Sequence, residues 1–435
     1  MNIYQTKARC RSCNNNDLIK LIDFGTTPLS DKLLKQKPAN NEEIKVPLTL
    51  MCCQNCSLVQ IKEEVNPRIL FQDNYPYYSS VSQRLMMHFK KSAEEIILTR
   101  KLNKNSFVFE AASNDGYMLQ HFVNRNINTL GIDPASGPAS VAWQKGIPTI
   151  IDFFGNEIAK KIVKKHGKAD VFLANNVLAH VPDLNGFVAG IHTLLKNNGV
   201  AVIEAPYLLD LVDNCEFDTI YHQHLCYFSV TALQSLFNRH NLYLNNIKHL
   251  SIHGGTLRMY IEPVKNINPV VRQYMEKEKQ LKIDSVEFYS EFIKRINALK
   301  YDLLSILASL KSLGKSIAGF GAAAKANTLM SYFGIGANYL EYIIDSSKFK
   351  QGLYFSGNHL PIVSPNRLLE DMPDYVLILA WNFAEEIIKQ NKTYLDKGGS
   401  FIVPIPKVKI YRNKTPFTSD REFRITSKSH KRFFC

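Results

Sequence analysis

Apolar and polar positions along the middle of the chain predict strands that alternate with helices. Strand-like apolar runs lie in the stretches 106–116, 128–134, 147–154, 169–181 and 199–206, and amphipathic helical segments separate them. This alternation predicts a parallel α/β sheet whose ligand lies at the carboxyl ends of the strands.

A second pattern of the same kind begins at residue 314. The stretch GKSIAGFGAAAKANTL, residues 314–329, reads as a strand, a glycine turn and a helix. Residues 268–312 predict one or two long amphipathic helices between the two sheets. The predicted fold class is therefore α/β, with two Rossmann-like domains.

The composition is that of an ordinary soluble globular protein, with 45% hydrophobic and 21% charged residues. No apolar stretch is long enough to cross a membrane. The beginning, MNIYQTKARCRSC, lacks the apolar core of a signal peptide, so we expect a cytoplasmic protein.

The net charge of +14 suggests an anionic partner. Residues 407–435 carry nine Lys or Arg against two acids, and the simplest interpretation is a solvated basic tail. Nucleic-acid binding by this tail is possible but has no other support, so it is not expected. The remaining charge suits a small molecule that carries phosphate.

Four of the eight cysteines form two C-x-x-C pairs, Cys10 with Cys13 and Cys53 with Cys56. Two such pairs can complete a tetrahedral zinc site, and four sulfur ligands leave no open position, so the zinc would be structural. The 39 residues between the pairs exceed the usual spacing, and four buried thiols remain the alternative. Cys52 is a competing ligand, although only Cys53 gives the two-residue gap.

The stretch EAASNDG follows the first strand of the central sheet and predicts a site for S-adenosylmethionine (SAM). A tight loop lets the backbone approach the methionine part, and a carboxylate after the second strand accepts both ribose hydroxyls. The predicted cofactor residues are Glu110, Ala112, Asn114, Asp115 and Gly116 in the loop, Asp133 for the ribose, Asp152 and Phe153 for the adenine, and Asn175 and Asn176 near the sulfonium. Ala112 and Asn114 occupy places where glycine is usual, so a dinucleotide-binding fold remains an alternative.

From about residue 8 to residue 407, the chain resembles the sugar C-methyltransferases that act on nucleotide-linked 4-keto deoxysugars. The resemblance is carried by both C-x-x-C pairs, YPYYSSVS, EAASNDGYML, NVLAHVPDLNGF, FDTIYHQHLCYFS, HGGTLR, GFGAAAKANT, IIDSSKFKQGLYFSGNHLPI and DYVLILAWNF. It implies a zinc-binding domain at 1–68, a SAM-dependent methyltransferase domain at 69–265, a helical connector at 266–312, a C-terminal Rossmann-like domain at 313–407 and a basic tail at 408–435. The substrate is expected between the last two domains.

Methylation of a carbon next to a ketone requires a base that forms an enolate, and histidine suits this role because its pKa lies near neutral pH. The resemblance implies that His224 is the base, with Tyr221 and Gln223 in support. If residues 219–226 form a helical turn, Tyr221 and His224 share a face and His222 points elsewhere. In a strand, His222 and His224 would share a side, and a metal pair or ordinary polar packing would be the alternatives.

This chain has Gln223 where the family usually has glutamate. An amide can orient an imidazole, but it cannot stabilise an imidazolium as a carboxylate does. We therefore expect a lower pKa for His224 than in a relative that carries glutamate.

Candidate substrate residues lie in several motifs of the resemblance. They are Tyr77 and Tyr78 in a lid or packing segment, His253 and Arg258 in HGGTLR, and Lys325, Asn327, Trp381 and Asn382 in the C-terminal domain, where the resemblance implies a site for the nucleotide diphosphate. For Arg258, a surface position in a turn is an equal alternative.

Together these patterns predict a SAM-dependent C-methyltransferase that adds a branch methyl, at C3, to a nucleotide-linked 4-keto-6-deoxysugar. The alternative is an NAD(P)-dependent oxidoreductase or epimerase of nucleotide sugars that uses the C-terminal fold. Against it, Ala324 stands at the third glycine position of the dinucleotide fingerprint.

Overall fold

The structure, a computed structural model, describes residues 3–37, 43–71, 78–81 and 83–413, with the backbone alone at Val81 and His253. Its strands form three sheets of four to seven strands and one two-stranded ribbon. Among the helices of the described residues, none has the length and apolar character needed to cross a membrane.

The N-terminal module is built from five strands and a short helix. These are β1 (Tyr4–Thr6), β2 (Leu18–Pro28), β3 (Lys45–Cys53), β4 (Val59–Ile61), β5 (Glu63–Val65) and α1 (Pro67–Phe71). Strands β2, β3 and β4 form an antiparallel sheet, and β1 pairs with β5. Cys53 is the last residue of β3, and Cys10, Cys13 and Cys56 lie outside the strands.

The central domain follows as alternating helices and strands. Its elements are α2 (Gln83–Thr99), β6 (Phe107–Ala111), α3 (Gln120–Val123), β7 (Asn128–Ile132), α4 (Ser136–Gln144), β8 (Thr149–Ile150), α5 (Asn156–His166), β9 (Ala169–Asn175), α6 (Leu184–Leu194), β10 (Leu195–Pro206), α7 (Leu208–Asp213), β11 (Cys226–Tyr227), α8 (Val230–Asn238), β12 (Tyr243–Leu250) and β13 (Thr256–Glu262).

Seven of these strands form one sheet in the order β12-β13-β10-β9-β6-β7-β8. The five from β8 to β10 are parallel, and β13 runs antiparallel between β10 and β12. Strand order reverses between β6 and β9, which is where α/β sheets bind their ligands.

Two helices connect this sheet to the C-terminal domain, α9 (Pro269–Leu281) and α10 (Val286–Ser312). The C-terminal elements are β14 (Ile317–Phe320), α11 (Ala324–Phe333), β15 (Ile343–Ile344), β16 (Ile362–Val363), α12 (Arg367–Asp371), β17 (Tyr375–Ile378), α13 (Ala384–Gln390), α14 (Lys392–Asp396), β18 (Ser400–Val403) and β19 (Lys409–Tyr411). Their sheet order, β16-β15-β14-β17-β18-β19, is that of a Rossmann fold.

The predicted fold class, with two Rossmann-like domains and a small N-terminal module, is confirmed. Two strand pairings cross the predicted domain boundaries. Strand β11 leaves the central domain and pairs with β4 of the N-terminal module. Strand β19 pairs with β18, so the C-terminal sheet extends into the segment that was predicted as tail. Residues 414–435 of that segment lie outside the described residues.

Candidate active site

The two C-x-x-C pairs meet in one cluster. The sulfur atoms of Cys10, Cys13, Cys53 and Cys56 all lie within 4.8 Å of one another, and two of the sulfur–sulfur distances are 3.5 Å. A tetrahedral zinc with bonds of about 2.3 Å places its sulfur ligands about 3.8 Å apart. The four thiols therefore fit a closed, structural zinc site.

Each pair is a tight turn that aims both thiols at the same point. The amide of Asn14 donates to the Cys10 carbonyl, and the amide of Ser57 donates to the Cys53 carbonyl. Cys52 is fully buried and lies against Tyr289 of helix α10 rather than in the cluster. The prediction that Cys53 rather than Cys52 belongs to the site is confirmed.

The loop after β6 has the backbone of a glycine-rich loop without most of the glycines. Ala112 and Asn114 both adopt left-handed conformations, with φ of 51° and 49°, and Gly116 follows at 76°. A left-handed residue other than glycine costs roughly 1–2 kcal/mol, so the surrounding structure holds this loop in place.

Two carboxylate oxygens at this loop are buried and have no hydrogen-bond partner among the described residues, Glu110 Oε2 and Asp115 Oδ1. The other Glu110 oxygen accepts from Asn175 at the end of β9, at 3.2 Å. Burial raises the pKa of Glu110 well above its usual value. Unpaired acceptors beside a tight loop fit the ammonium and hydroxyl groups of SAM.

Asp133 lies at the end of β7, next to the loop. Its two oxygens accept backbone hydrogen bonds from Asn114 and Ala135, at 2.9 and 2.8 Å. Each oxygen keeps a second lone pair, which is what two ribose hydroxyls require. Burial raises the pKa of Asp133 to about 6.

The other predicted cofactor residues lie at the same edge of the sheet. Asp152 is exposed and Phe153 is half-buried just after β8. Asn176 follows β9 with φ of 56°, and its amide donates to the carbonyl of Glu204 on β10. The loop, Asp133, Asp152 and Asn175 thus follow four neighbouring parallel strands.

Residues 78–81 cover the loop. The Ser79 amide donates to Asn114 at 3.0 Å, and the Ser80 hydroxyl donates to Asp115. Tyr78 stacks on Phe349 of the C-terminal domain, with ring centres 6.2 Å apart. Tyr77 lies outside the described residues.

Residues 217–227, hereafter the 217–227 segment, contact all three parts of the molecule. Asp218 and Ile220 accept hydrogen bonds from the C-terminal domain, and Leu225 donates to Ala179 of the central domain. His222 and strand β11 bind the N-terminal module. The segment is not a helix: a 3-10 turn at Phe217–Thr219 is followed by bends and then β11.

Within this segment, the hydrogen bonds of His224 fix its tautomer. Nδ1 lies 2.8 Å from the Thr219 carbonyl, and because a carbonyl only accepts, Nδ1 carries the hydrogen. In the neutral ring, Nε2 therefore carries the lone pair, which accepts a hydrogen bond from the Tyr221 hydroxyl at 3.0 Å. The two side chains are in contact, although the segment is not the helical turn in which they were expected to share a face.

Burial, together with the nearby His180 and Lys325, lowers the pKa of His224 to about 3, while the hydrogen bond to Thr219 acts in the opposite direction. The ring is neutral at pH 7. His180 packs against it with centroids 4.8 Å apart and places its own Nδ1 2.6 Å from the Gln223 carbonyl.

His222 and Gln223 point away from His224. His222 is buried, and its Nε2 lies 3.0 Å from the Pro47 carbonyl. The Gln223 amide donates to the Ser30 carbonyl at 3.5 Å. The prediction that the Gln223 side chain supports His224 is corrected here, because its contact is with the N-terminal module. Among the described residues, the four cysteines are the only cluster with metal-ligand geometry, so a metal pair of histidines is not supported.

Lys325 brings a charge from the C-terminal domain close to the segment. It lies at the start of α11, with Nζ 4.0 Å from the centre of the Trp381 ring. Trp381 in turn donates from Nε1 to Asp218 at 2.7 Å. Burial lowers the pKa of Lys325, while Asp218 and Glu216 raise it. The charge of Lys325 is close enough to His224 to contribute to the lowering of its pKa.

The remaining predicted substrate residues differ in their surroundings. The amide of Asn327 is buried and donates to Ser356, and Asn382 has a buried Oδ1 without a partner among the described residues. The prediction that Arg258 binds substrate is corrected: its Nε donates to Glu204 at 2.7 Å and its side chain is 5% exposed, so it is not at a surface turn either. The charge is already paired inside the central domain. The side chain of His253 lies outside the described residues.

Sequence reasoning missed three residues of this site, His180, Asp218 and Thr328. Thr328 donates to the Ile220 carbonyl at 2.7 Å. All three lie within motifs of the resemblance, Thr328 as the last residue of GFGAAAKANT, which was a usable signal. The sequence does not show the partner of Thr328, which lies 108 residues away.

Three family models match successive parts of the chain. They are described as "Putative zinc binding domain" for residues 10–71, "Methyltransferase domain" for residues 86–246 and "C-methyltransferase C-terminal domain" for residues 251–406. Among characterised proteins, the C-methyltransferase NovU of Streptomyces niveus is 32% identical over 404 residues, which span 92% of this chain and 96% of NovU.

Solved methyltransferase structures match the central part more distantly. The magnesium protoporphyrin IX methyltransferase of Synechocystis is 9% identical over 41% of this chain and 79% of that protein, with a TM-score of 0.32. A SAM-dependent methyltransferase of Anabaena variabilis is 14% identical over 40% and 84%, also with a TM-score of 0.32. These scores are too low to support an argument about function.

The match to NovU covers nearly the whole of both proteins, and all three models agree with it in order along the chain. The chain therefore belongs to the C-methyltransferase family and is a SAM-dependent methyltransferase with a structural zinc site.

Proposed function

We propose that this enzyme methylates a ring carbon next to the ketone of a nucleotide-linked 4-keto-6-deoxysugar, at C3, through an enolate formed by His224. The observation that carries the proposal is the tautomer of His224. The Thr219 carbonyl holds the hydrogen on Nδ1 and leaves Nε2 as a proton acceptor beside the Tyr221 hydroxyl.

In the proposed reaction, the C3–H bond breaks and its proton goes to His224 Nε2, while the electron pair becomes the enolate. The Tyr221 hydroxyl donates to the ketone oxygen as negative charge develops there. SAM, when bound, would supply an electrophilic methyl group on a sulfonium, and the C3–CH3 bond would form as the S–CH3 bond breaks and S-adenosylhomocysteine leaves. Because the pKa of His224 is lowered, its lone pair is available at neutral pH.

The loop after β6 suits the methyl donor. We propose that Glu110, Ala112, Asn114, Asp115 and Gly116 bind the methionine part. The nucleoside part is assigned to Asp133, Asp152 and Phe153, and the region of the sulfonium to Asn175 and Asn176. The unpaired oxygens of Glu110 and Asp115 support this assignment.

We propose that the substrate binds in a cleft between the central and C-terminal domains. Lys325, at the amino end of α11, and Asn382, with its unpaired oxygen, suit the diphosphate and the sugar. Tyr78 borders the same cleft through its stack on Phe349. Trp381 and Asn327 line the wall, although their polar groups are already bonded to Asp218 and Ser356.

The proposal is tested with methyl-labelled SAM and a set of nucleotide-linked 4-keto-6-deoxysugars, with NMR detection of the product. The expected result is a new methyl group on C3. A methyl group on oxygen or nitrogen, or on C5, would contradict the proposed position. Activity with an unlinked 4-keto sugar equal to that with the nucleotide-linked form would contradict the role of the C-terminal domain.

The C-terminal fold was the basis of the alternative, an NAD(P)-dependent oxidoreductase or epimerase. Residues 251–406 match a model of the C-methyltransferase family instead. This match favours the methyltransferase, and the C-terminal sheet is assigned to the nucleotide part of the substrate.

A further inference from the structure

We propose that Thr328, on helix α11 of the C-terminal domain, is a positioning residue for His224. By holding the backbone at Ile220, it keeps the neighbouring carbonyl of Thr219 in place and so determines which imidazole nitrogen accepts the proton. This inference rests on the proposed function, in which His224 is the base.

The contacts form a short chain. Thr328 Oγ1 donates to the Ile220 carbonyl at 2.7 Å, and the adjacent carbonyl, that of Thr219, accepts from His224 Nδ1 at 2.8 Å. Ile220 is fully buried and Thr328 is 1% exposed. Because water cannot replace the threonine hydroxyl in this position, removing it leaves a buried carbonyl without its donor.

The C-terminal domain holds the same stretch at two further points. Trp381 Nε1 donates to Asp218 at 2.7 Å, and Phe217 stacks on Phe333 with ring centres 5.0 Å apart. The other half of the 217–227 segment is held by the N-terminal module and the central domain. The Thr219 carbonyl, which accepts from Nδ1, therefore lies in the half of the 217–227 segment that the C-terminal domain fixes. His224 lies in the other half.

This division has a chemical consequence. A neutral imidazole carries one hydrogen, and only the form with the hydrogen on Nδ1 has a lone pair on Nε2. If the Thr219 carbonyl moves, the form with the hydrogen on Nε2 becomes populated and cannot accept the substrate proton there. Helix α11 also carries Lys325, so the same helix contacts the proposed nucleotide site and fixes the base.

The test compares Thr328→Val, which removes the hydroxyl at nearly constant volume, with Thr328→Ser, which keeps it. Histidine-labelled enzyme is observed by ¹⁵N NMR at pH 7, where His224 is neutral, and the His224→Asn variant identifies the signals. Wild type and Thr328→Ser should show a single form with the hydrogen on Nδ1. Thr328→Val should show both forms, and its kcat should fall about tenfold to a hundredfold with a smaller change in KM.

A single Nδ1–H form together with wild-type kcat in Thr328→Val would overturn the inference. The zinc content and melting temperature of each variant check that it is folded. If valine prevents folding, Thr328→Ala removes the same donor without adding a methyl group, and the same two outcomes apply to it.

The His224→Asn variant distinguishes an error in the proposed base from an error in the role of Thr328. If His224→Asn retains methyl transfer, the proposed base is wrong, whatever the Thr328 variants show. If His224→Asn is inactive and Thr328→Val keeps both the tautomer and the rate, only the role of Thr328 is wrong.

Discussion

His222 and His224 are two residues apart, yet their ring nitrogens have different surroundings. His222 is buried with Nε2 at the Pro47 carbonyl of the N-terminal module. His224 has a carbonyl at Nδ1 and a hydroxyl at Nε2. A buried histidine that bonds only to backbone contributes to packing, whereas an imidazole with one nitrogen fixed and the other beside a phenol is suited to proton transfer.

Replacing Gln223 with glutamate should raise the pKa of His224 through the added negative charge alone, because the side chain at position 223 contacts the Ser30 carbonyl and not the imidazole. A base acts in its unprotonated form, so kcat/KM decreases as the pH falls through its pKa. The acidic limb of the pH profile should therefore move to higher pH in Gln223→Glu. Gln223→Asn, which keeps a neutral amide, should leave the limb in place. An identical acidic limb in wild type and Gln223→Glu would contradict this prediction.

Several elements could be predicted because their pattern is local. Strands β6, β7, β9 and β10 are apolar runs that end at polar or turn residues, and helix α10 follows a helical period. Strand β11 could not be predicted, since it has two residues and its partner β4 lies more than 160 residues earlier. Pairing of this kind depends on how the domains pack and leaves no periodic pattern in the sequence.

Among the site residues too, those marked by a local pattern could be predicted, and those defined by contacts between distant parts of the chain could not. The sequence marks Asp133 and Asn175 because each follows a strand and the strand ends meet at one edge of the sheet. It does not show that Glu204 pairs with Arg258, because that contact joins two strands. For the same reason, the contact of Gln223 with Ser30 was not foreseen.

The left-handed backbone of the loop after β6 gives a test of its conformation. Ala112→Gly relieves a strain of roughly 1–2 kcal/mol, from which the greater freedom of glycine in the unfolded chain subtracts about 0.4–1 kcal/mol. The free energy of unfolding should therefore be unchanged or rise by up to about 1.6 kcal/mol, as measured with urea.

Ala111→Gly is the matched control, one residue earlier in strand β6, where the alanine is buried and not left-handed. It should lower the free energy of unfolding by about 1 kcal/mol. Equal losses in both variants would show that Ala112 is not strained.

The 217–227 segment is the place where the three parts of the molecule meet. The N-terminal module contributes strand β4 and the Pro47 carbonyl, the central domain contributes His180, and the C-terminal domain contributes Thr328 and Trp381. The zinc site holds the end of β3 next to β4, so it stabilises one of the surfaces on which the segment rests. We therefore expect the zinc to stabilise the 217–227 segment by supporting β3 and β4, without taking part in the reaction.

Loss of zinc should loosen strand β11. The Cys53→Ser variant should lose zinc, as measured by metal analysis, and the amides of residues 225–227 should exchange faster in hydrogen–deuterium exchange, while helix α13 of the C-terminal domain changes little. The control is Cys52→Ser, which alters the adjacent buried thiol outside the cluster. This variant should keep one zinc per chain, and its amides at residues 225–227 should exchange as slowly as in the wild type. Equal zinc content in the two variants would contradict the assignment of the ligands.

The central claim is that His224 forms the enolate, and it can be measured without methyl transfer. Wild type, His224→Asn and His222→Asn are incubated in heavy water with the nucleotide-linked 4-keto sugar and S-adenosylhomocysteine, and NMR follows exchange of the hydrogen at C3. The account predicts exchange in wild type and in His222→Asn, and none above background in His224→Asn. Exchange at the wild-type rate in a folded His224→Asn variant would contradict the account.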